Sequence, residues 1–462
     1  MPAPMRPSPP GRRTFLRIAA GSAVVLPLAA LAGCTGADRD PGTIRVAYQQ
    51  FGSGTQMETM LRRVSESYTA QNPGVSIELV PIVAAENDYF TKNELLMSSP
   101  RTSADVVYED SFILLSDVGA GYLQSIDDQI AGWPLWDEIA PASQEAFTGE
   151  DGHVYGIPVS TDTRALWYHR DVFAEAGLPD PWEPASWEEV LEAARTIRDS
   201  ASEAAPLFVF SGKAQGEKAS MQGFEMLLYG TGSTLYDEET RRWVLGSQGF
   251  EDSLAFLRTL FDEELTLPLS QHLDPNISET IYSTLLPEGR LGILLDGSWI
   301  SRSWAEGAAG AWPEWSETMG LAKMPTQHGQ DPGSVTLAGG WGWTIPQYAT
   351  DKEAAFDFIE ALCAPENSVL RAIEDNHITV RADVAADERY LGYSPTVGFF
   401  TELLETARYR PALPAYPEVS AAIQEAMEVV MTGTADPAQA LAAYGDQVTG
   451  IVGAENVQEE ER

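Results

Sequence analysis

Residues 153–198, HVYGIPVSTDTRALWYHRDVFAEAGLPDPWEPASWEEVLEAARTIR, restrict the folds open to this chain more than any other stretch. Tyr155-Gly156-Ile157-Pro158 starts a short strand, and Pro158, with no N–H to give a ladder, confines that strand to an edge or a crossing. Arg164 to His169 (RALWYH) reads as a second, more apolar strand. Asp171 can cap a short helix that Gly177 ends in a left-handed turn. Ser186, with Glu189 three residues on, forms a capping box that opens a helix through Val190, Leu191, Ala194 and Ile197. One segment therefore leaves one globular unit and enters another, with Ser160, Thr161 and Asp162 at the crossing.

The first 33 residues carry Arg6, Arg12, Arg13 and Arg17, no acid, and an apolar run from Ile18 to Ala30. A charged start, a short apolar core and small residues before a break make a signal peptide at 1–33. Leu31-Ala32-Gly33-Cys34 resembles a lipobox, which implies cleavage before Cys34, a diacylglycerol on its thiol and a tether over 34–42. Arg12-Arg13-Thr14-Phe15-Leu16 also resembles a twin-arginine signal. General-export signals carry paired arginines too, so both routes stay open. The chain has two cysteines, and with Cys34 lipidated only Cys363 remains, which excludes an intrachain disulfide. Cys363 continues the helical stripe Phe356, Ile359, Leu362 and reads as a small buried apolar residue. The net charge of −39 argues against nucleic acid and against adhesion to anionic lipid, and it disfavours highly anionic ligands. No second apolar run approaches membrane-spanning length, so the lipid on Cys34 would be the anchor to the outer face of the cell membrane.

The mature length allows two domains with separate cores. Ile44 to Tyr48 alternates as a strand; helices follow through Met60, Leu61, Val64 and Tyr68 and near 87–97, with strands at 75–81 and 105–108 between and after them. This β-α-β-α-β order predicts a mostly parallel sheet with helices on both faces. Ligands in such sheets sit beyond the carboxyl ends of the strands, where 49–53 and 109–112 fall. Gly52-x-Gly54 lacks the further residues of a phosphate loop and reads as a strand-to-helix turn. Later come a strand at 207–210, helices at 221–229 and 250–261, and a buried strand at 291–295. A second crossing follows at 337–346, then a helix at 352–362 and a helical tail after Arg410.

NPGVSIE, Gly121-Tyr122-Leu123, YGIP…ALWYHRDVFAEAGL…SWEEVL, Gly297-Ser298-Trp299, Gly339-Gly340…Ile345-Pro346 and Ala364-Pro365-Glu366 follow in this order along nearly the whole mature chain. The chain thereby resembles the carbohydrate-binding solute-binding proteins of bacterial ABC importers, extracellular solute-binding protein family 1, which includes maltose- and trehalose-binding members. The resemblance implies an α/β, two-lobed fold of the type II periplasmic-binding-protein kind. Each lobe would be a mostly parallel sheet flanked by helices, and hinge strands would join the two. Residues 43–160 with 342–390 would form the first lobe and 161–341 with 391–462 the second. It also implies a monomer that captures a sugar, a di- or oligosaccharide, by hinge closure and delivers it to a permease with associated ATPases.

Sugar recognition needs planar polar groups that bond hydroxyls in pairs, and aromatic faces that cover the C–H faces of the ring. Asp110 lies just past a strand and Asp162 at the hinge, both where the resemblance puts an acid; a solvated loop acid or a helix cap is the competing reading, and the default one for Glu109. Trp299 and Trp341 match positions of stacking aromatics, with Gly297, Gly339 and Gly340 leaving room for a ligand; core packing competes. Trp343 shares Trp341's face if the strand is regular. Arg410 matches an arginine of trehalose-binding relatives, against a surface ion pair. With Gln50, Phe51 and Arg164 these make up the expected ligand set. No GxSxG, HExxH, EF-hand or CxxC pattern occurs, and the five histidines are scattered, so neither catalysis, metal nor cofactor is expected. A secreted glycoside hydrolase is the runner-up, since it too needs two carboxylates in an aromatic cleft. A third class, a surface lipoprotein that binds another protein, would show an exposed apolar patch instead of a deep cleft.

Overall fold

The computed structural model describes residues 42–460 other than 51–53, 85, 309 and 412, so the leader, Cys34 and Phe51 lie outside the described residues. The chain opens with β1 (Thr43–Gln50), α1 (Gln56–Gln71), β2 (Ser76–Val83), α2 (Glu86–Met97), β3 (Val106–Asp110) and α3 (Ser111–Gly119). Strands β2, β1 and β3 lie parallel in that order, with Val46 opposite both Leu79 and Val106. Met60, Leu61 and Val64 of α1 bury their stripe in the core that holds Val46, Val106 and Val107.

The crossing segment forms β4 (Gly156–Asp162) and β5 (Arg164–His169), with Thr163 alone between them. Pro158 sits in β4, whose strand partner is one neighbour only, as a residue without an N–H requires. Next is α4 (Arg170–Ala176), stopped by Gly177 at φ 73°. Asp171 does not cap α4: the helix starts at Arg170 after His169, and Asp171 lies in the first turn, where its charge meets the helix dipole. Helix α5 (Trp187–Asp199) begins with half of the expected box. Ser186 accepts the Glu189 N–H at 3.3 Å, but the Glu189 carboxylate takes the N–H of Ala185 instead of Ser186.

Strand β6 (Ala205–Phe208) leads to a π-helical stretch, Lys218–Glu225, which runs into α6 (Met226–Thr231). Then come α7 (Gln248–Asp262), β7 (Leu291–Gly297), β8 (Met319–Ala322), the long β9 (Ser334–Thr344), α8 (Lys352–Leu362) and α9 (Pro365–Asp375). A short β10 (Ala407–Tyr409) precedes α10 (Tyr416–Met431) and α11 (Pro437–Val452). The second sheet has the order β8-β5-β7-β6. It is mixed: β6, β7 and β8 run in one direction, and β5, between β8 and β7, runs antiparallel to both. Both its faces are covered. Leu166, Ile293 and Leu295 pack with Val419, Ile423 and Tyr444 of α10 and α11, and Trp167 and Leu294 pack with Trp304 and Ile300.

Two strands tie the lobes. β4 belongs to the first sheet while β5, one residue on, belongs to the second. β9 runs the other way: residues 336–338 pair with β10, and 341–344 enter the first sheet between β3 and β4. The result is an α/β fold of two lobes joined by hinge strands, with the carboxyl ends of β1 and β3 facing the second lobe.

Candidate ligand-binding site

A cavity of about 840 Å3 lies between the lobes. Its first-lobe wall holds Gln49 at the end of β1, Tyr108 and Asp110 of β3, and Trp341 of β9. Its second-lobe wall holds Lys218, Met221 and Gln222 of the π-helical stretch, with Tyr282, Trp299 and Arg302. The wider π turn aims neighbouring side chains of one short segment at the same space.

Asp162 and Arg164 lie on either side of the Thr163 crossing. Both are buried and form an ion pair. Asp162 also accepts the Gly339 N–H at 2.9 Å, so one carboxylate clamps the two crossing strands together. The Arg164 guanidinium donates to Leu337 O at 3.3 Å and lies 4.8 Å from the centroid of the Trp299 ring. The glycines that sequence reading credited with leaving room for ligand are filled by the protein itself. A Cβ on Gly297 would sit 1.9 Å from the Trp299 ring, and one on Gly339 would meet Asp162 Oδ1 at 3.1 Å.

Asp110 caps α3, accepting the Phe112 N–H at 2.8 Å, and the same oxygen accepts from Arg410 at 2.9 Å. Arg410 donates on its other side to Glu217 at 3.0 Å, and its guanidinium lies 5.3 Å from the Phe112 ring. Glu217 in turn accepts from Tyr416 (3.0 Å) and Ser420 (2.5 Å). The pair is not on the surface: the three side chains are only 3–8 % exposed. Burial raises the Glu217 pKa while Arg410 opposes it, and burial together with the charge of Glu217 pushes neighbouring Glu225 up to about 8.

Trp341 stacks on Tyr108, ring centroids 4.7 Å apart and 16° between planes, and contributes to the cavity wall. Trp343 faces the same way but lies deeper, 1 % exposed and tilted against Tyr108 at 4.9 Å. It is core, not cavity wall. Glu109 is a further correction. Alternation along β3 points it away from the cavity that Tyr108 and Asp110 line. It is buried against Asn93 (3.2 Å), beside Asp117, and burial raises both carboxyls, Asp117 to about 8. Gln50 is likewise displaced by its neighbour, since Gln49 is the glutamine on the cavity. Burial of four successive residues, Val46 to Gln49, removes the alternation that would have distinguished the two in sequence.

Sequence reading also passed over Gln222, Asp375 and His377. The histidines looked scattered, yet the turn after α9, where Asn376 takes φ 51°, carries Asp375 and His377 to the cavity. Burial and the nearby Arg302 and Arg371 push the His377 pKa far down. The signal available was a polar run, Glu374 to His377, leading into apolar residues at a bridge between Thr161 and Ile378. Cys363 is buried, and burial pushes its thiol up to about 12. Among the described residues no cluster of three or more metal-ligating side chains occurs, and no helix is long and apolar enough to cross a membrane.

A sequence model of the bacterial extracellular solute-binding proteins matches residues 51–368. The chain belongs to this family. A binding protein of Brucella abortus (strain 2308) is 23 % identical over 408 residues, 86 % of this chain and 90 % of that one. The lactose-binding protein of Rhizobium radiobacter is 22 % identical over 315 residues, 66 % and 68 % of the two chains. Among solved structures, an ABC transporter solute-binding protein of Thermotoga lettingae bound with α-D-tagatose superposes with a TM-score of 0.77 at 22 % identity, covering 88 % of this chain and 99 % of that one. The shared fold is the two-lobed type II arrangement described above. Family members are binding proteins of ABC importers.

Proposed function

We propose that this protein is the extracytoplasmic, sugar-capturing subunit of an ABC importer, anchored through a lipid on Cys34 and acting as a monomer. The carrying observation is the interlobe cavity of about 840 Å3, with Trp341 and Trp299 on opposite lobes and the buried carboxylates of Asp110 and Asp162 between them. Its volume and mixed aromatic and polar lining suit a di- or oligosaccharide. The lobes, divided after Asp162 in the first crossing and before Gly339 in the second, close about Thr163 and Gly339, because a sugar bridging both walls makes all its contacts only in the closed form. The loaded form then docks on a permease with its ATPases.

A thermal-shift screen of protein lacking residues 1–33 against neutral mono-, di- and trisaccharides tests this reading, since a ligand of the folded state raises its melting temperature. One or more sugars should raise it, and the bound sugar should be recovered intact, where a hydrolase would release reducing ends. No shift across neutral mono-, di- and trisaccharides would overturn it. For the anchor, Cys34→Ser should release the protein from the membrane fraction.

A further inference from the structure

The cations lining the cleft each face an acid or a hydrogen-bond acceptor. Asp162 pairs with Arg164, and Arg410 with both Asp110 and Glu217. Lys213 reaches Glu428 at 3.5 Å; Lys218 donates to Ser278 at 3.0 Å and acts on buried Asp296; Arg302 acts on Asp375. The uncharged polar groups are in the opposite condition. Gln49, Gln222 and His377 are 3, 3 and 8 % exposed and all line the cavity. Among the described residues, both ends of the Gln49 amide, the Gln222 amide oxygen and Nδ1 of His377 have no hydrogen-bond partner. A buried polar atom without a partner is uncommon and destabilising. Three such side chains, from β1, the π-helical stretch and the turn after α9, meet around one cavity. A ligand that fills that cavity can supply the donors and acceptors they lack.

We propose that Gln49, Gln222 and His377 hydrogen-bond directly to the ligand, and that the ligand is an uncharged saccharide. This rests on the sugar-binding reading above. A carboxamide offers a donor and an acceptor side by side, which matches neighbouring hydroxyls on a pyranose ring, and a neutral imidazole offers one of each. Gln49 stands on the first lobe and Gln222 on the second, so ligand contacts to both hold the cleft shut. A uronic acid or sugar phosphate would need an unmatched cation, and each cation of the cleft named above already faces an acceptor or an acid.

The test is calorimetric titration of the neutral sugar the screen selects, against the unmodified protein and Gln49→Met, Gln222→Met and His377→Phe. Each variant keeps side-chain bulk but loses its hydrogen-bonding atoms. Affinity should fall roughly three- to tenfold in each, while the melting temperature of the unliganded variants stays equal or rises, because an unpartnered buried polar group has been removed. A merely structural role would lower it. Galacturonate should bind more weakly than galactose, and affinity for the neutral sugar should not change with salt. Unchanged affinity in all three variants, or tighter binding of galacturonate, overturns this inference alone. No binding of any neutral mono-, di- or trisaccharide by the unmodified protein overturns the sugar reading and this inference with it.

Discussion

On the first-lobe side of the cleft, Trp341 lies flat on Tyr108, Phe90 stacks 6.1 Å from Trp341, and Arg371 holds the Tyr108 hydroxyl at 2.6 Å. On the second-lobe side, Arg410, Glu217, Tyr416, Ser420 and Glu225 form a buried hydrogen-bonded network. The first wall is shaped by packing, which is short-ranged and rigid. The second is shaped by charge pairing, in which every member depends on its neighbours. Arg410 joins the two, since it takes Asp110 from one side and Glu217 from the other. The first wall is thus a platform that stands by itself, and the second a network whose Arg410 takes one of its acids, Asp110, from the first lobe.

The largest expected effects break one wall at a time. Trp343→Ala removes a core indole and should cost about 3–5 kcal/mol of stability in denaturant titration, with bound-state contacts otherwise intact. Arg410→Ala leaves Asp110 and Glu217 buried without their cation, at a similar cost of about 3–5 kcal/mol, and should also widen the solution envelope in small-angle scattering. An unchanged radius of gyration would show that the second wall does not need Asp110 to hold its geometry. Trp341→Ala should weaken sugar binding and also lower the melting temperature, because the ring belongs both to the cavity wall and to the first core.

A smaller effect separates the lobes by pH. Asp117 in the first lobe and Glu225 in the second are each raised to about 8, chiefly by burial. Each holds its proton more tightly folded than unfolded. Its contribution is therefore full below the unfolded value of about 4 and is lost as pH rises through about 8, with a slope of up to about 1.4 kcal/mol per pH unit. Asp117→Asn and Glu225→Gln should each flatten the fall in stability between about pH 5 and 8. If only one does, that lobe sets the unfolding transition. The smallest effect is local: Ser186→Ala should lower stability by about 1 kcal/mol, and Asp171→Asn by about 0.5 kcal/mol or less, as befits a cap and a first-turn charge.

Much of the fold was legible because it rests on local chemistry. Pro158 on an edge strand, Gly177 at φ 73° and the stripe Val190, Leu191, Ala194 and Ile197 follow from single residues or helical spacing. The two crossings were legible as strands, whereas Asp110, Asp162, Trp299, Trp341 and Arg410 were expected through the family resemblance, and all five line one cavity with Arg164. What the tertiary structure alone decided is how those groups are occupied. Asp110 and Arg410 are 300 positions apart, and nothing in either neighbourhood says that they neutralise each other. Parity in a strand buried on both faces leaves no alternation, so Gln49 and Gln50 could not be told apart, and Glu109 could not be turned from the cleft before β3 was placed against α2 and α3. Local structure is determined by forces acting over a few residues, which the sequence spells out. Charge pairing and unpartnered polar atoms depend on distances between the lobes, which exist only once both have folded and met.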